Sequence, residues 1–124
     1  MRAAELTRVG PAEEVVVCKD VPDALAPGKG EATIDLIACS INPADILGIE
    51  GNYASIPETP SPLGIEGAGK VTAIGDGVKD LAVGDLVMSL YRANWSQQLT
   101  LPAAQLVKLP AKIDPEQAAM MKVN

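Results

Sequence analysis

Tyr53 is the residue of this 124-residue chain best suited to donate a proton. The sequence holds no histidine, which is the most frequent proton donor in enzymes, and it holds two tyrosines. Tyr53 stands in EGNYASIP, where Gly, Asn and Pro indicate a loop of the kind that displays functional side chains. A phenol is protonated at neutral pH, so it can donate a hydrogen bond to an oxyanion or deliver a proton. The alternative is a loop tyrosine that packs against its neighbours and keeps a solvated hydroxyl.

Three other polar residues each admit a structural role beside a functional one. Asn42 precedes Pro43, and its amide can cap a short helix. We expect Glu66 to be a structural acid that accepts backbone N–H bonds in a glycine turn, because no basic group accompanies it. Arg92 could meet an anionic substrate, although a solvated loop charge is the default for an arginine there.

Glu66 lies within the glycine-rich stretch LGIEGAGKVTAIG, residues 63–75. A dinucleotide loop places its glycines between a strand and a helix, whose N-terminus holds the pyrophosphate. Here the residues after Gly69 favour a strand that ends in the turn GDGV. These glycines therefore indicate tight turns, a bulge and close backbone approach, not a phosphate site.

Composition narrows the choice of partners. The net charge is −6, from 10 Lys and Arg against 16 Asp and Glu, and no basic stripe is present, so we expect no nucleic-acid partner. No apolar run has the length of a signal peptide or of a membrane span, which favours a cytoplasmic protein without a membrane partner. Cys18 and Cys39 form no CxxC pair, and we expect both to be buried apolar thiols and not metal ligands or a disulfide.

The elements that must position these residues are mostly strands. Seven short runs rich in β-branched residues, separated by Gly, Pro, Asn and Asp, predict a small barrel or sandwich. They are MRAAEL, EVVVCKDV, EATIDLIACSI, EGAGKVTAI, DLVMSL, WSQQLTL and QLVKLP. In the third run, the alternation of Ala32, Ile34, Leu36 and Ala38 with other residues predicts a half-buried strand.

Two helices are predicted between and after these strands. One begins at the Asn42 cap, with Pro43 in its first turn, and ends at Gly48 or Gly51 after one or two turns. The other begins at the Asp114 cap, and the pattern of a capping box predicts a longer helix. Because the sequence stops soon after that start, we expect the chain to be a piece of a longer protein.

Several motifs together resemble the medium-chain dehydrogenase/reductase superfamily. The first is GIEGAGKVTAIGDGVKDLAVGDLV, with its Gly-Asp-x-Val element. The second is SINPADILGIEGNY followed by IPETPSPLGIEG. This second motif is similar to quinone oxidoreductases and, more closely, to 2-enoyl thioester reductases. The resemblance implies a mainly β fold, a GroES-like partly open barrel with short helices. It also implies a catalytic domain over residues 1–112. Residues 113–124 would then start the helix toward a nucleotide-binding Rossmann domain that this chain lacks.

The same resemblance implies a zinc-independent member. Zinc-dependent relatives carry cysteine where this chain has Asn42 and histidine where it has Ile65, and an amide with an isoleucine cannot replace thiolate and imidazole. The structural-zinc cysteines of the superfamily are also missing.

The implied activity is NADPH-dependent reduction of a 2-enoyl thioester, with Tyr53 as the catalytic donor and Asn42 orienting the cofactor. Trp95 and Arg92 are the implied substrate-pocket residues, although Trp95 could equally belong to the core. NADPH would be held mainly outside this chain, so we expect the chain alone to be inactive and, with an uncovered apolar face, to form a homodimer. The alternatives are a quinone oxidoreductase domain and a free-standing binding or assembly module.

Overall fold

The computed structural model of the chain describes residues 1–123 and consists mainly of antiparallel strands. The strands are β1 Arg2–Leu6, β2 Val16–Asp20, β3 Glu31–Cys39, β4 Ser61–Pro62, β5 Gly67–Ile74, β6 Leu86–Ser89, β7 Gln98–Pro102 and β8 Leu106–Lys108. The helices are α1 Ala12–Val15, α2 Pro43–Glu50 and α3 Pro115–Ala118, with a 3₁₀ turn at Ala103–Gln105. The prediction of a mainly β chain with short helices is confirmed.

Two sheets carry the fold. The larger one curls into a half-barrel with strand order β7-β3-β5-β6-β8, and the smaller one has the order β2-β1-β4. They meet where Ala3 bridges Ser96 and where the N–H of Ala4 donates to the carbonyl of Trp95 at 2.8 Å. The small sheet is therefore bonded through β1 to the segment that leads into β7.

Strand β3 lies inside the large sheet and pairs with both β5 and β7. Ala32 and Ile34 are fully buried, Leu36 and Ala38 are partly buried, and the alternation predicted for this strand is confirmed. Thr33 departs from it, because its hydroxyl is paired with that of Thr100 at 2.7 Å and so can be buried.

The glycine stretch forms the start of β5, as predicted, and no helix follows it. Gly69 pairs with Leu36 next to a break in the β3–β5 register, and a Cβ atom at Gly69 would contact the carbonyl oxygen of Asp35. Gly64, just before the strand, has a φ of 106°. Close approach and left-handed backbone thus explain these two glycines.

The core is aliphatic, as a chain without phenylalanine requires. One cluster lies on the half-barrel around Ile34, Val71 and Leu101, and a second lies beneath α3. A third holds Leu6, Val15 and Ile49 together, so it joins the small sheet to α1 and α2.

Three local predictions differ from the structure. The predicted strand EVVVCKDV begins two residues later than expected, since Glu14 and Val15 belong to α1, where Pro11 gives an extended cap and two glutamates occupy the first turn. Cys18 and Cys39 are both exposed, because β2 is an edge strand turned to solvent and Cys39 ends β3. The prediction of buried thiols is therefore wrong.

Helix α3 begins after the predicted Asp114 cap, whose Oδ1 accepts the N–H of Glu116 at 2.9 Å, but it spans only Pro115–Ala118. Turns occupy residues 119–123, and Asn124, the end of the predicted segment 113–124, lies outside the described residues. In the following turn, Lys122 donates to the carbonyls of Ile65 and Leu90, and the N–H of Val123 donates to Glu66. The division at residue 112 stays a prediction. Across residues 1–123, every helix is too short or too polar to cross a bilayer.

Candidate active site

Helix α2 positions the loop that carries Tyr53. Its N-cap is Asn42, in extended conformation, and the N–H of Asn42 donates to Oδ2 of Asp45 at 2.8 Å, which fixes the first turn. The helix ends at Gly51, whose φ of 78° is left-handed. Both predicted ends of this helix are confirmed. Tyr53 follows two residues after that stop.

A cavity of about 320 Å³ lies between α2, the Tyr53 loop and the segment before β5. Its apolar lining includes Leu6, Ile49, Leu63 and Ile65. Its polar lining includes Asp45, Tyr53, Ser55, Glu58 and Arg92. This combination of an apolar wall with a few polar groups is typical of a small-molecule site.

Tyr53 and Arg92 are brought together in this cavity although they are far apart in the sequence. Tyr53 is 48% exposed, so its ring is half covered and the rest of it remains accessible. The hydroxyl of Tyr53 and the cation of Arg92 are donors that can bind a carbonyl-containing molecule, beside the carboxyl groups of Asp45 and Glu58 in the same lining.

Asn42 lies behind the cavity wall instead of lining it. Its side chain is buried, and its Nδ2 donates to Oε2 of Glu66 at 2.6 Å and to Oγ of Ser40 at 2.9 Å. Asp45 connects this network to the cavity, because its Oδ1 accepts the N–H of Ile65 at 3.1 Å. The predicted role of Asn42 toward a cofactor stays a prediction.

Glu66 is fully buried, and three hydrogen bonds to its carboxylate are resolved among residues 1–123. Two come from Asn42 and from the Ser40 hydroxyl, at 2.7 Å, and the third comes from the N–H of Val123 to Oε1 at 2.7 Å. The expectation of a structural acid fits this geometry, but two of the donors are side chains and the third lies at the far end of the chain, not in the glycine turn.

The environment keeps Glu66 ionised. Burial acts to raise the pKa of this carboxyl, but the hydrogen bonds from Asn42, Ser40 and the 122–123 backbone outweigh burial and hold the pKa below its ordinary value. Lys122 is the cation nearby, and its Nζ donates to the carbonyls of Ile65 at 2.9 Å and Leu90 at 3.0 Å. Burial and the charge of Arg92 lower the pKa of Lys122, while Glu66 and Asp45 act to raise it.

Trp95 is not among the residues that line this cavity. Its Nε1 donates to the carbonyl of Ser40 at 2.9 Å, and its ring packs against the cluster of Leu6, Val15 and Ile49. Trp95 is partly buried there, and its backbone lies against Gly64. Its predicted role in a substrate pocket stays a prediction.

Sequence reasoning missed Ser40, Asp45 and Lys122. A signal existed for Asp45, since an acid three residues after an Asn cap is the pattern of a capping box. Ser40 and Lys122 carry no comparable local signal, because their partners are distant in sequence.

The two positions discussed for zinc do not fit that metal. The amide of Asn42 is already bonded to Glu66 and Ser40, and the side chain of Ile65 is apolar and lines the cavity. Within residues 1–123, no group of three His, Cys, Asp or Glu side chains is placed to hold a metal ion. A dinucleotide fits no better on the glycine stretch, since β5 runs on from it without a helix.

Comparison with known proteins shows which family this chain belongs to. The model of the alcohol dehydrogenase GroES-like domain matches residues 28–111. The synaptic vesicle membrane protein VAT-1 homolog of Rattus norvegicus is 43% identical over 100 residues, which cover 80% of this chain and 25% of that protein. The mitochondrial enoyl-[acyl-carrier-protein] reductase of Bos taurus is 32% identical over 126 residues, covering 100% of this chain and 34% of that protein.

Solved structures agree on the fold. The quinone oxidoreductase of Escherichia coli, in complex with NADPH, superposes with a TM-score of 0.83 at 33% identity, over 96% of this chain and 36% of that one. The CurK enoyl reductase superposes with a TM-score of 0.85 at 22% identity, over 98% of this chain and 39% of that one. The latter supports the fold alone.

This chain belongs to the alcohol dehydrogenase GroES-like domain family and thereby to the medium-chain dehydrogenase/reductase superfamily. The predicted GroES-like fold is confirmed, and the relatives include oxidoreductases. The chain spans about a quarter to a third of the length of the curated relatives that it matches.

Proposed function

We propose that this chain is the catalytic domain of a zinc-independent, NADPH-dependent reductase of 2-enoyl thioesters. The observation that carries the proposal is the common cavity of Tyr53 and Arg92, which has the volume of a small-molecule site and an apolar wall. The similarity to a mitochondrial enoyl-[acyl-carrier-protein] reductase over the whole chain supports the choice of substrate class.

In this proposal the acyl part of the substrate lies along Ile49, Leu63 and Ile65, where burial of apolar surface favours binding. The hydroxyl of Tyr53 donates to the thioester oxygen as negative charge develops there, or delivers the proton that completes reduction. Arg92, which lines the same cavity, meets an anionic part of the substrate.

NADPH supplies the hydride when it is bound in such an enzyme. The described residues lack a strand, glycine turn and helix in that order, so we propose that the nucleotide is held mainly by a further domain. Asn42 is the residue of this chain that we assign to the cofactor side, held in place by Glu66. We further propose that this chain alone is inactive and that its exposed Met120, Met121 and Val123 favour a homodimer. A cytoplasmic location stays a prediction.

A second candidate, reduction of a quinone, is favoured by the similarity to the Escherichia coli quinone oxidoreductase. A planar quinone fits the same apolar wall and needs no proton delivered to carbon. The two functions therefore differ in how strongly they depend on the Tyr53 hydroxyl.

The test starts with the gene. A reading frame that continues past Asn124 into a strand, glycine-rich turn and helix supports the enzyme, whereas a stop codon there favours a free-standing binding module. The complete protein is then assayed for NADPH oxidation with a crotonyl thioester and with a quinone. We expect Tyr53→Phe to slow the thioester reaction by ~100-fold, the usual contribution of a general acid, and the quinone reaction much less.

Tyr91→Phe is the matched control, because Tyr91 is also an exposed tyrosine but does not line the cavity. We expect it to retain activity. Full thioester reduction by Tyr53→Phe would remove Tyr53 from the mechanism, and activity with the quinone alone would select the second candidate.

A further inference from the structure

The buried carboxylate of Glu66 performs no step of the chemistry proposed above, yet it accepts hydrogen bonds from Ser40, Asn42 and Val123. It does not line the cavity, and it is fully buried. Burial of an ionised carboxylate is unfavourable unless hydrogen bonds replace the lost water. Its two oxygen atoms divide these bonds between two different parts of the chain.

The Oε2 atom binds the part of the chain that leads into helix α2. It accepts from Ser40, at the end of β3, and from Asn42, the cap of α2. The backbone of Asn42 is bonded to Asp45, so the carboxylate restrains the first turn of the helix. The last turn of that helix leads through Gly51 to Tyr53.

The Oε1 atom is bonded to the C-terminal turn, residues 119–123. It accepts the N–H of Val123. The adjacent Lys122 donates to the carbonyls of Ile65, which precedes β5, and Leu90, which follows β6. The turn thus holds together the two segments that supply Ile65 and Arg92 to the cavity wall.

We propose that Glu66 is a positioning residue that couples the C-terminal turn to helix α2 and, through it, to Tyr53. The importance of that coupling for reaction rests on the proposed reductase function, whereas the coupling itself does not. Its physical basis is that both oxygens belong to one rigid, buried carboxylate, so a shift on one side moves the acceptor of the other.

Glu66→Gln separates this proposal from simple packing. Glutamine keeps the volume but turns one acceptor into an NH₂ donor, which must then face either the Asn42 amide or the Val123 N–H. One of the two sides therefore loses its bond, and a donor is left without an acceptor.

The chain provides its own probe, since Trp95 is its only tryptophan and donates from Nε1 to Ser40, whose hydroxyl bonds Glu66. In ¹H–¹⁵N spectra of the chain, we expect Glu66→Gln and a chain ended at Met121 each to shift the Trp95 indole signal and the amides of residues 43–53. The matched control is Glu116→Gln, an exposed acid in α3, with shifts near α3 only.

The coupling is overturned if the variant truncated after Met121 shows no larger shifts in the signals of residues 43–53 than Glu116→Gln does. A variant that fails to fold is replaced by Val123→Pro, which removes the N–H that donates to Oε1 of Glu66 while keeping the side chain of Lys122. The same shifts are expected from it, and their absence counts against the proposal equally.

A kinetic test then distinguishes positioning from the proposed function. In the complete reductase we expect Glu66→Gln to lower kcat by ~10-fold with little change in KM, since misplacement of a donor slows the chemical step. In a Tyr53→Phe background the same change should have little further effect, because the group being positioned is gone. Additive losses would overturn the positioning role, whereas full activity of Tyr53→Phe would overturn the reductase mechanism and leave the spectral coupling intact.

Discussion

The Nδ2 atom of Asn42 lies 2.6 Å from Oε2 of Glu66, and both side chains are buried. This bond links the cap of helix α2 to the start of strand β5. A neutral amide opposite an ionised carboxylate supplies a donor without adding a second buried charge. The stability of the chain should therefore depend on the amide of Asn42 more than on the amide of an exposed asparagine.

Asn42→Asp should destabilise the chain strongly, because it places a second carboxylate against Glu66 with almost no change in shape. We expect a loss of ~3 kcal/mol in the free energy of unfolding at pH 7, the range found when a buried charge loses its partner. The loss should shrink as the pH falls and one of the two carboxyls takes up a proton. Urea denaturation at pH 7 and pH 5 measures both effects. Asn52→Asp, at an exposed position, should change the stability by less than ~0.5 kcal/mol, and an equal loss in the two variants would contradict the prediction.

The ionised state of Glu66 should appear in the dependence of stability on pH. Because its pKa is lower in the folded chain than in the unfolded one, its contribution is present above the unfolded pKa and is lost as the pH falls through the folded value. We expect the free energy of unfolding of the wild type to fall as the pH drops below about 4.5, the ordinary glutamate value, and that of Glu66→Gln to fall less steeply there. Parallel curves for the two proteins would show that Glu66 does not titrate differently on folding.

Gly64 should tolerate no side chain. Its φ is 106°, and a Cβ atom there would lie 2.6 Å from the backbone nitrogen of Trp95. Gly64→Ala should cost ~3 kcal/mol or more, combining backbone strain with the displacement of packed backbone. Gly84→Ala is the matched control, since Gly84 has a φ of 95° and open space around it, and it should cost ~1–2 kcal/mol. Thermal or urea unfolding gives both values, and similar costs would mean that the clash is relieved by small shifts.

The Cys39 thiol should react slowly for an exposed cysteine. Partial burial of the sulfur atom raises the pKa of this thiol, and the negative charge of Asp45 raises it further by a smaller amount. Less thiolate is therefore present at pH 8 than for a free thiol. In a Cys18→Ser variant, alkylation of Cys39 should be slower than that of N-acetylcysteine and should keep accelerating at higher pH. Alkylation as fast as that of the free thiol would contradict this expectation, and Cys39→Ser provides the corresponding rate for Cys18.

Local patterns were sufficient for much of the fold and for part of the site. The Asn42-Pro43 start and the glycine stop defined α2 because caps and left-handed glycines act within a few residues. The alternation along β3 predicted its buried face because side chains of a strand alternate between two environments. Tyr53 was placed on an accessible loop by the same kind of local signal.

What depended on distant contacts could not be predicted. The donors of Glu66 include the N–H of Val123, which lies 57 residues away, and no periodicity connects the two. The exposure of Cys18 follows from the edge position of β2, which is a property of the sheet order. Residue type alone favoured burial, and the tertiary arrangement decided otherwise.

The match to the GroES-like domain begins at residue 28, but the structure continues to depend on what precedes it. Leu6 is 1% exposed, lines the cavity and packs with Val15 and Ile49. A protein cut to the matched range would lose β1, β2 and α1, and with them Leu6 from the lining of the cavity. The evolutionary unit recognised in the sequence is thus smaller than the unit that must fold together.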